Sequence, residues 1–160
     1  MSAVARFRYL VRAATPNGPP SPSLPPSAVT QPGKRVLIVE DDAAIRESYA
    51  EILRGAQYEV TTAGSHEAAL ALLERSGGAV DVLVLDIGLP DADGADVARD
   101  AARQFGDRPT LYVSGWTPDF WQLSDAPGRW LVLQKPIPGR RLLKAVQWLS
   151  EGGDRKPDLD

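Results

Sequence analysis

The chain has 160 residues, 43% hydrophobic and 24% charged, with a formal net charge of −3 and no cysteine. That length suits one domain of ordinary size. The missing cysteines exclude a disulfide framework or thiolate metal site and suit a reducing cytoplasm, no window reaches the ~18 apolar residues of a membrane span, and the acidic balance lacks the basic stripe that nucleic acid requires.

Residues 1–33 contain no acid, three arginines (Arg6, Arg8 and Arg12) and seven of the 14 prolines, packed between Pro16 and Pro32. Arginine interrupts the opening stretch too often for a signal peptide, and Pro, Ser and Gly beyond it are linker composition that buries too little to order itself. We therefore expect a disordered Pro-rich extension over 1–33, a folded domain over 34–151 and a disordered tail over 152–160. Of the 18 Lys and Arg, three precede the linker, so fifteen face all 21 Asp and Glu in the remainder. The folded part is acidic.

From Lys34 onward, apolar runs alternate with amphipathic stretches. VLIV (36–39) reads as a strand. Ile45, Tyr49, Ile52, Leu53 and Ala56 then recur at helical spacing, with Gly55 near the helix end. YEVTTA (58–63) is a second strand, and Ser65 is a suitable N-cap for a helix carrying Ala69, Leu70 and Leu73 that stops at Gly77 and Gly78. VDVLVLDI is near-continuously aliphatic, as a strand covered on both faces must be. GLPDADG is turn chemistry, and the next helix turns Val97, Ala98, Ala101 and Phe105 inward. TLYV (110–113) leads into Trp116–Gly128, where Pro118 and Pro127 leave room only for a short helix. WLVLQ (130–134) is the last strand, and Leu142, Leu143, Val146 and Leu149 stripe a terminal helix ending at Gly152 and Gly153. Such alternation, with right-handed crossovers, gives an α/β fold: a doubly wound, five-stranded parallel sheet of flavodoxin type, order 2-1-3-4-5, with helices on both faces.

The strand ends carry the chemistry. The first strand runs into Glu40, Asp41 and Asp42, the third into Asp86, the fourth into Ser114 and the fifth into Lys135. Ligands of open parallel sheets bind beyond the carboxyl ends of the strands, so carboxylates, a hydroxyl and an ammonium converge there. Singly, each has a plain explanation: Asp41 or Asp42 as a helix cap, Ser114 as a turn residue, Lys135 as a solvated cation. Their position on neighbouring strand ends favours a joint role. Clustered carboxylates repel unless a cation sits among them, and Mg²⁺ takes one or two carboxylates, waters and a phosphate oxygen. Asp86, ending the most buried strand, is the natural nucleophile for phosphoryl transfer. Asp91, Asp93 and Gly94 read as a turn and helix start rather than a metal loop. His66, the one histidine, follows an N-cap and is expected to be exposed, which makes it a poor phosphodonor.

VLIVEDD, VLVLDIGLPDADG, LYVSG and LQKP, in that order and spacing over about residues 34–151, resemble the receiver domain of two-component response regulators; LYVSGW with LQKP is closest in flavour to receivers of hybrid histidine kinases. The resemblance implies phosphorylation of Asp86, with Mg²⁺ held by Asp41, Asp86 and the Gly88 carbonyl and by Glu40 through water. It further implies that Lys135 and Ser114 bind the phosphoryl oxygens, that Gly115 keeps the approach open and that a cis peptide joins Lys135 to Pro136. Asp42 would sit one place beyond the acidic pair as a helix cap. Receivers commonly have Tyr or Phe three residues before the site lysine. Here that position is Val132, so Trp130 or Trp116, the latter at the lip of the site, is expected to carry the switch.

The expected function is a phosphoacceptor switch or relay intermediate rather than an enzyme. Its donor would be a histidine kinase or a histidine phosphotransfer protein. With no DNA-binding module after residue 153, output would pass to a partner protein at the face of the fourth helix, fifth strand and fifth helix. Other readings stay open: a phosphorylation-independent interaction module, a Mg²⁺-dependent phosphohydrolase of haloacid dehalogenase type, although the first strand lacks its DxD pattern, and an FMN binder, although a Ser/Thr-rich phosphate loop is missing.

Overall fold

In the computed structural model, residues 33–115 and 123–159 are described. They form β1 (Arg35–Val39), α1 (Ala43–Gly55), β2 (Glu59–Ala63), α2 (His66–Arg75), β3 (Val82–Asp86), α3 (Gly94–Phe105), β4 (Thr110–Ser114), β5 (Trp130–Gln134) and α4 (Gly139–Glu151). The five strands pair in parallel in the order β2-β1-β3-β4-β5, as the alternation requires. Every residue of β3 and β4 is buried, whereas the edge strands β2 and β5 are only partly covered.

Two apolar layers sandwich the sheet. Val36, Ile38, Val84, Leu111 and Val113 meet Tyr49 and Leu53 of α1 and Leu142, Val146 and Leu149 of α4. Leu37, Val39, Leu83, Leu85 and Tyr112 point the other way, toward Ala69 and Leu73 of α2 and Val97, Ala98 and Ala101 of α3. The period-two alternation of strand side chains produces this division. Each fully buried leucine contributes roughly 2 kcal/mol relative to exposure, so the aliphatic strands anchor the scaffold whose ends carry the polar site.

The helix starts follow their capping residues. Asp42 accepts hydrogen bonds from the amides of Ala44 and Ile45, Ser65 Oγ accepts from Ala68, and Asp93 accepts from Ala95. Gly55 closes α1, but the left-handed position belongs to Gln57, at φ 71°. Gln57 N donates to Arg54 O at 2.9 Å and Tyr58 N to Leu53 O at 3.1 Å, which is the Schellman pattern. At Gly78, by contrast, φ is 74° and a Cβ would stand 2.6 Å from Phe105, so both backbone and space demand glycine.

One expectation is corrected. His66 is half-buried rather than exposed, because its Nε2 lies 2.9 Å from Asp100 Oδ2 and ties α2 to α3. Residues 153–159 run back along α4, with Pro157 and Leu159 half-buried and Leu159 packed against the core. The short helix expected within Trp116–Gly128 lies partly outside the described residues; Leu123 is 3₁₀-helical, and Ser124 and Asp125 form a turn.

Candidate functional site

Register brings the strand ends together. Val39 pairs with Leu85, Asp86 with Val113, and Ser114 with Gln134, so Glu40, Asp86, Ser114 and Lys135 follow one another across the sheet's carboxyl edge. Each sits at the end of a strand locked by aliphatic packing. Lys135 is further fixed because its amide donates to Ser114 O at 2.7 Å, and its bond to Pro136 is cis.

Lys135 Nζ lies 2.6 Å from Glu40 Oε2 and 3.1 Å from Asp86 Oδ2. Glu40 is 2% exposed and Asp86 7%. Burial above all, aided by the Asp86 charge, pushes the Glu40 carboxyl up to about 7, although Lys135 and the Asp42 amide pull the other way. Burial opposes the Lys135 charge as well, but its hydrogen bonds to Glu40 and Asp86 hold its pKa above the ordinary lysine value. Carboxylate oxygens of Glu40, Asp41 and Asp86 lie within 4.8 Å of one another. Among the described residues, Glu40 and Asp86 share the Lys135 ammonium, and the hard oxygen donors of the cluster suit a divalent cation such as Mg²⁺. The residues fit the ion that the sequence reading expects.

The remaining candidates have distinct surroundings. Asp42 is occupied as the cap of α1, and its own amide donates to Glu40 Oε1 at 3.1 Å. The Gly88 amide donates to Asp86 Oδ1 at 2.9 Å, orienting that carboxylate. Ser114 is buried at the end of β4. Gly115 is exposed, and a Cβ there would meet nothing within 4 Å among the described residues. Trp116 lies outside the described residues. Val132 pairs with Tyr112, and Trp130 meets the Tyr112 ring edge-on at 6.3 Å and 70°.

Arg46 was not singled out from the sequence. Its Nη1 donates to Glu40 O at 2.7 Å and reaches Asp41 O at 3.4 Å, clamping the backbone that presents both acids. Its place on the first turn of the helix after an acidic strand end was the available signal. Asp91 and Asp93 are excluded from the carboxylate cluster by their work as caps: Asp91 accepts from the amides of His66 and Glu67, which begin α2. Beside Lys135 a groove of ≈ 470 Å³ opens between Ala44, Ile45, Ser48 and Tyr49 of α1 and Pro136 and Ile137.

The response regulator receiver domain family matches residues 36–147. The response regulator receiver protein CpdR of Brucella abortus is 31% identical over 119 residues, covering 71% of this chain and 94% of CpdR. The sensor kinase CckA of the same organism is 32% identical over 120 residues, covering 74% of this chain; the chain spans only 13% of that kinase's length. Among solved structures, a response regulator receiver protein from Sinorhizobium medicae superposes with a TM-score of 0.66 at 30% identity, over 74% of this chain and 95% of that one. The receiver domain of the hybrid histidine kinase CckA superposes at 0.62 and 31% identity, over 72% and 98% of the two chains. An acidic cluster, hydroxyl and lysine at the carboxyl edge of a 2-1-3-4-5 sheet thus coincide with the family match over most of the chain. The protein belongs to the response regulator receiver family.

Proposed function

We propose that the chain is a phosphoacceptor in a two-component phosphorelay, with Asp86 as the phosphorylated residue. The observation that carries this reading is the contact of the buried Asp86 with Lys135 at 3.1 Å, inside the acidic cluster. A carboxylate oxygen of Asp86 attacks phosphorus, the P–N bond to a donor phosphohistidine breaks, and the electron pair leaves with the imidazole. Lys135 Nζ meets one phosphoryl oxygen as a point charge, and the Ser114 hydroxyl donates to another. Asp41, Asp86, Glu40 and the Gly88 carbonyl would hold Mg²⁺, which when bound neutralises charge on the phosphoryl oxygens. The apolar groove of Ile45, Tyr49, Pro136 and Ile137 shares Lys135 with this site, and its position suits the apolar face of a histidine kinase or phosphotransfer donor.

The test is intact mass after incubation with acetyl phosphate and Mg²⁺. The parent chain gains one phosphoryl group; Asp86→Asn gains none, and the parent gains none in chelator. A phosphoryl adduct persisting on Asp86→Asn would move the acceptor elsewhere. Failure of the parent to be modified would favour a phosphorylation-independent module.

A further inference from the structure

Beyond the strand-end site, the C-terminal segment makes an ordered set of contacts that phosphoryl transfer does not use. Arg129, just before the edge strand β5, stacks its guanidinium 3.5 Å over the Trp148 ring. The same group donates to Trp148 O at 2.9 Å and to Gly153 O at 2.8 Å. Trp148 Nε1 donates to Arg155 O, Lys144 Nζ to Asp158 O at 3.2 Å, and Arg141 Nε to Leu159 O.

Arg141, Lys144 and Trp148 form one stripe of α4, at offsets of three and seven. Going down the helix from 148 to 141, their partners go up the chain from 155 to 159, so the segment runs antiparallel to the helix. Seven helical residues span about 10 Å and four extended residues about 13 Å, so donors and carbonyls keep step only if the segment is extended. These five hydrogen bonds all end on backbone carbonyls, which any side chain could present. Pro157 and Leu159 are half-buried, while Asp154, Arg155 and Lys156 stay exposed.

We propose that the α4 flank beside β5 is a docking groove for an extended peptide segment bearing an aliphatic anchor, and that residues 153–159 of this chain occupy it in cis. A protein partner using this flank must then displace the segment, which makes it a built-in competitor. The inference does not depend on phosphorylation of Asp86.

The test uses the Trp148 indole N–H resonance in full-length protein, assigned through Trp148→Phe, with a synthetic peptide of residues 153–159 as probe. Leu159→Asp should raise solvent exchange of that indole proton at least tenfold while the Leu53 and Leu85 amides stay protected. Arg129→Gln, which loosens the other end, should act in the same direction. The peptide should restore the parent indole shift in Leu159→Asp, a peptide with alanine in place of the leucine should not, and the parent chain should bind the peptide at least tenfold more weakly than the variant does. Unchanged indole exchange in both variants, equal binding to parent and variant, or binding to neither would overturn the proposal.

Discussion

At Glu40, burial and ion pairing oppose each other, and burial wins: the carboxyl rises from an ordinary 4.5 to about 7 despite an ammonium at 2.6 Å. Below pH 4.5 the folded and unfolded chains both hold this proton and the group contributes nothing. Between about 4.5 and 7 the unfolded chain has released it while the native chain retains it, so raising the pH favours unfolding. In chelator, the thermal midpoint of the parent minus that of Glu40→Gln should therefore fall as the pH rises through this window and level off above it. A flat difference would mean that Glu40 titrates normally. Asp41 is exposed and caps nothing in the described contacts. Asp41→Ala should weaken Mg²⁺ binding far more than Asp91→Ala or Asp93→Ala, and Asp93→Ala should instead lose about 1 kcal/mol of stability as α3 loses its N-cap. Equal losses of Mg²⁺ affinity in a titration of all three variants would relocate the metal site to the β3–α3 loop.

The elements are held by their ends as much as by their faces. Helix α1 closes through Gln57 in a left-handed conformation that L residues resist by roughly 1–2 kcal/mol. Glycine would relieve that cost and return part of it as unfolded-chain entropy. Gln57→Gly should therefore raise stability by about 0.5–1 kcal/mol, read as an increased denaturant midpoint at constant slope. A loss of stability would show that the glutamine side chain makes a compensating contact. The caps at Asp42, Ser65 and Asp93 were legible because a short oxygen-bearing side chain stood immediately before an amphipathic run. Gln57 was not, since neither its side chain nor its spacing signals a left-handed turn.

Across the molecule, Tyr112 links the β4 strand that ends in Ser114 to the Trp130 end of β5. That ring is fully buried two residues before Ser114, and burial pushes its hydroxyl up to about 12. It pairs with Val132, where the expected aromatic switch is missing, and its edge meets Trp130. We expect beryllofluoride, a phosphoryl mimic, to change tryptophan fluorescence, and Trp130→Phe to abolish most of that change while beryllofluoride still binds. An undiminished response in Trp130→Phe would assign the signal to Trp116, Trp121 or Trp148.

Strand order, the two-sided burial of β3 and the convergence of Glu40, Asp41, Asp86, Ser114 and Lys135 at one edge were determined by the sequence alone. The reason is that period-two and helical repeats, right-handed crossovers and short connections leave few arrangements of these segments. The tertiary structure alone decided how each group is spent. Which carboxylate is desolvated depends on what covers it, so Glu40, not the neighbouring Asp41, became the buried partner of Lys135. Arg46 as a backbone clamp, the His66–Asp100 tie and the seating of 153–159 on α4 likewise join residues whose separation along the chain carries no periodic signal. Contacts of that kind arise from the shape and charge of surfaces that exist only after the helices have packed.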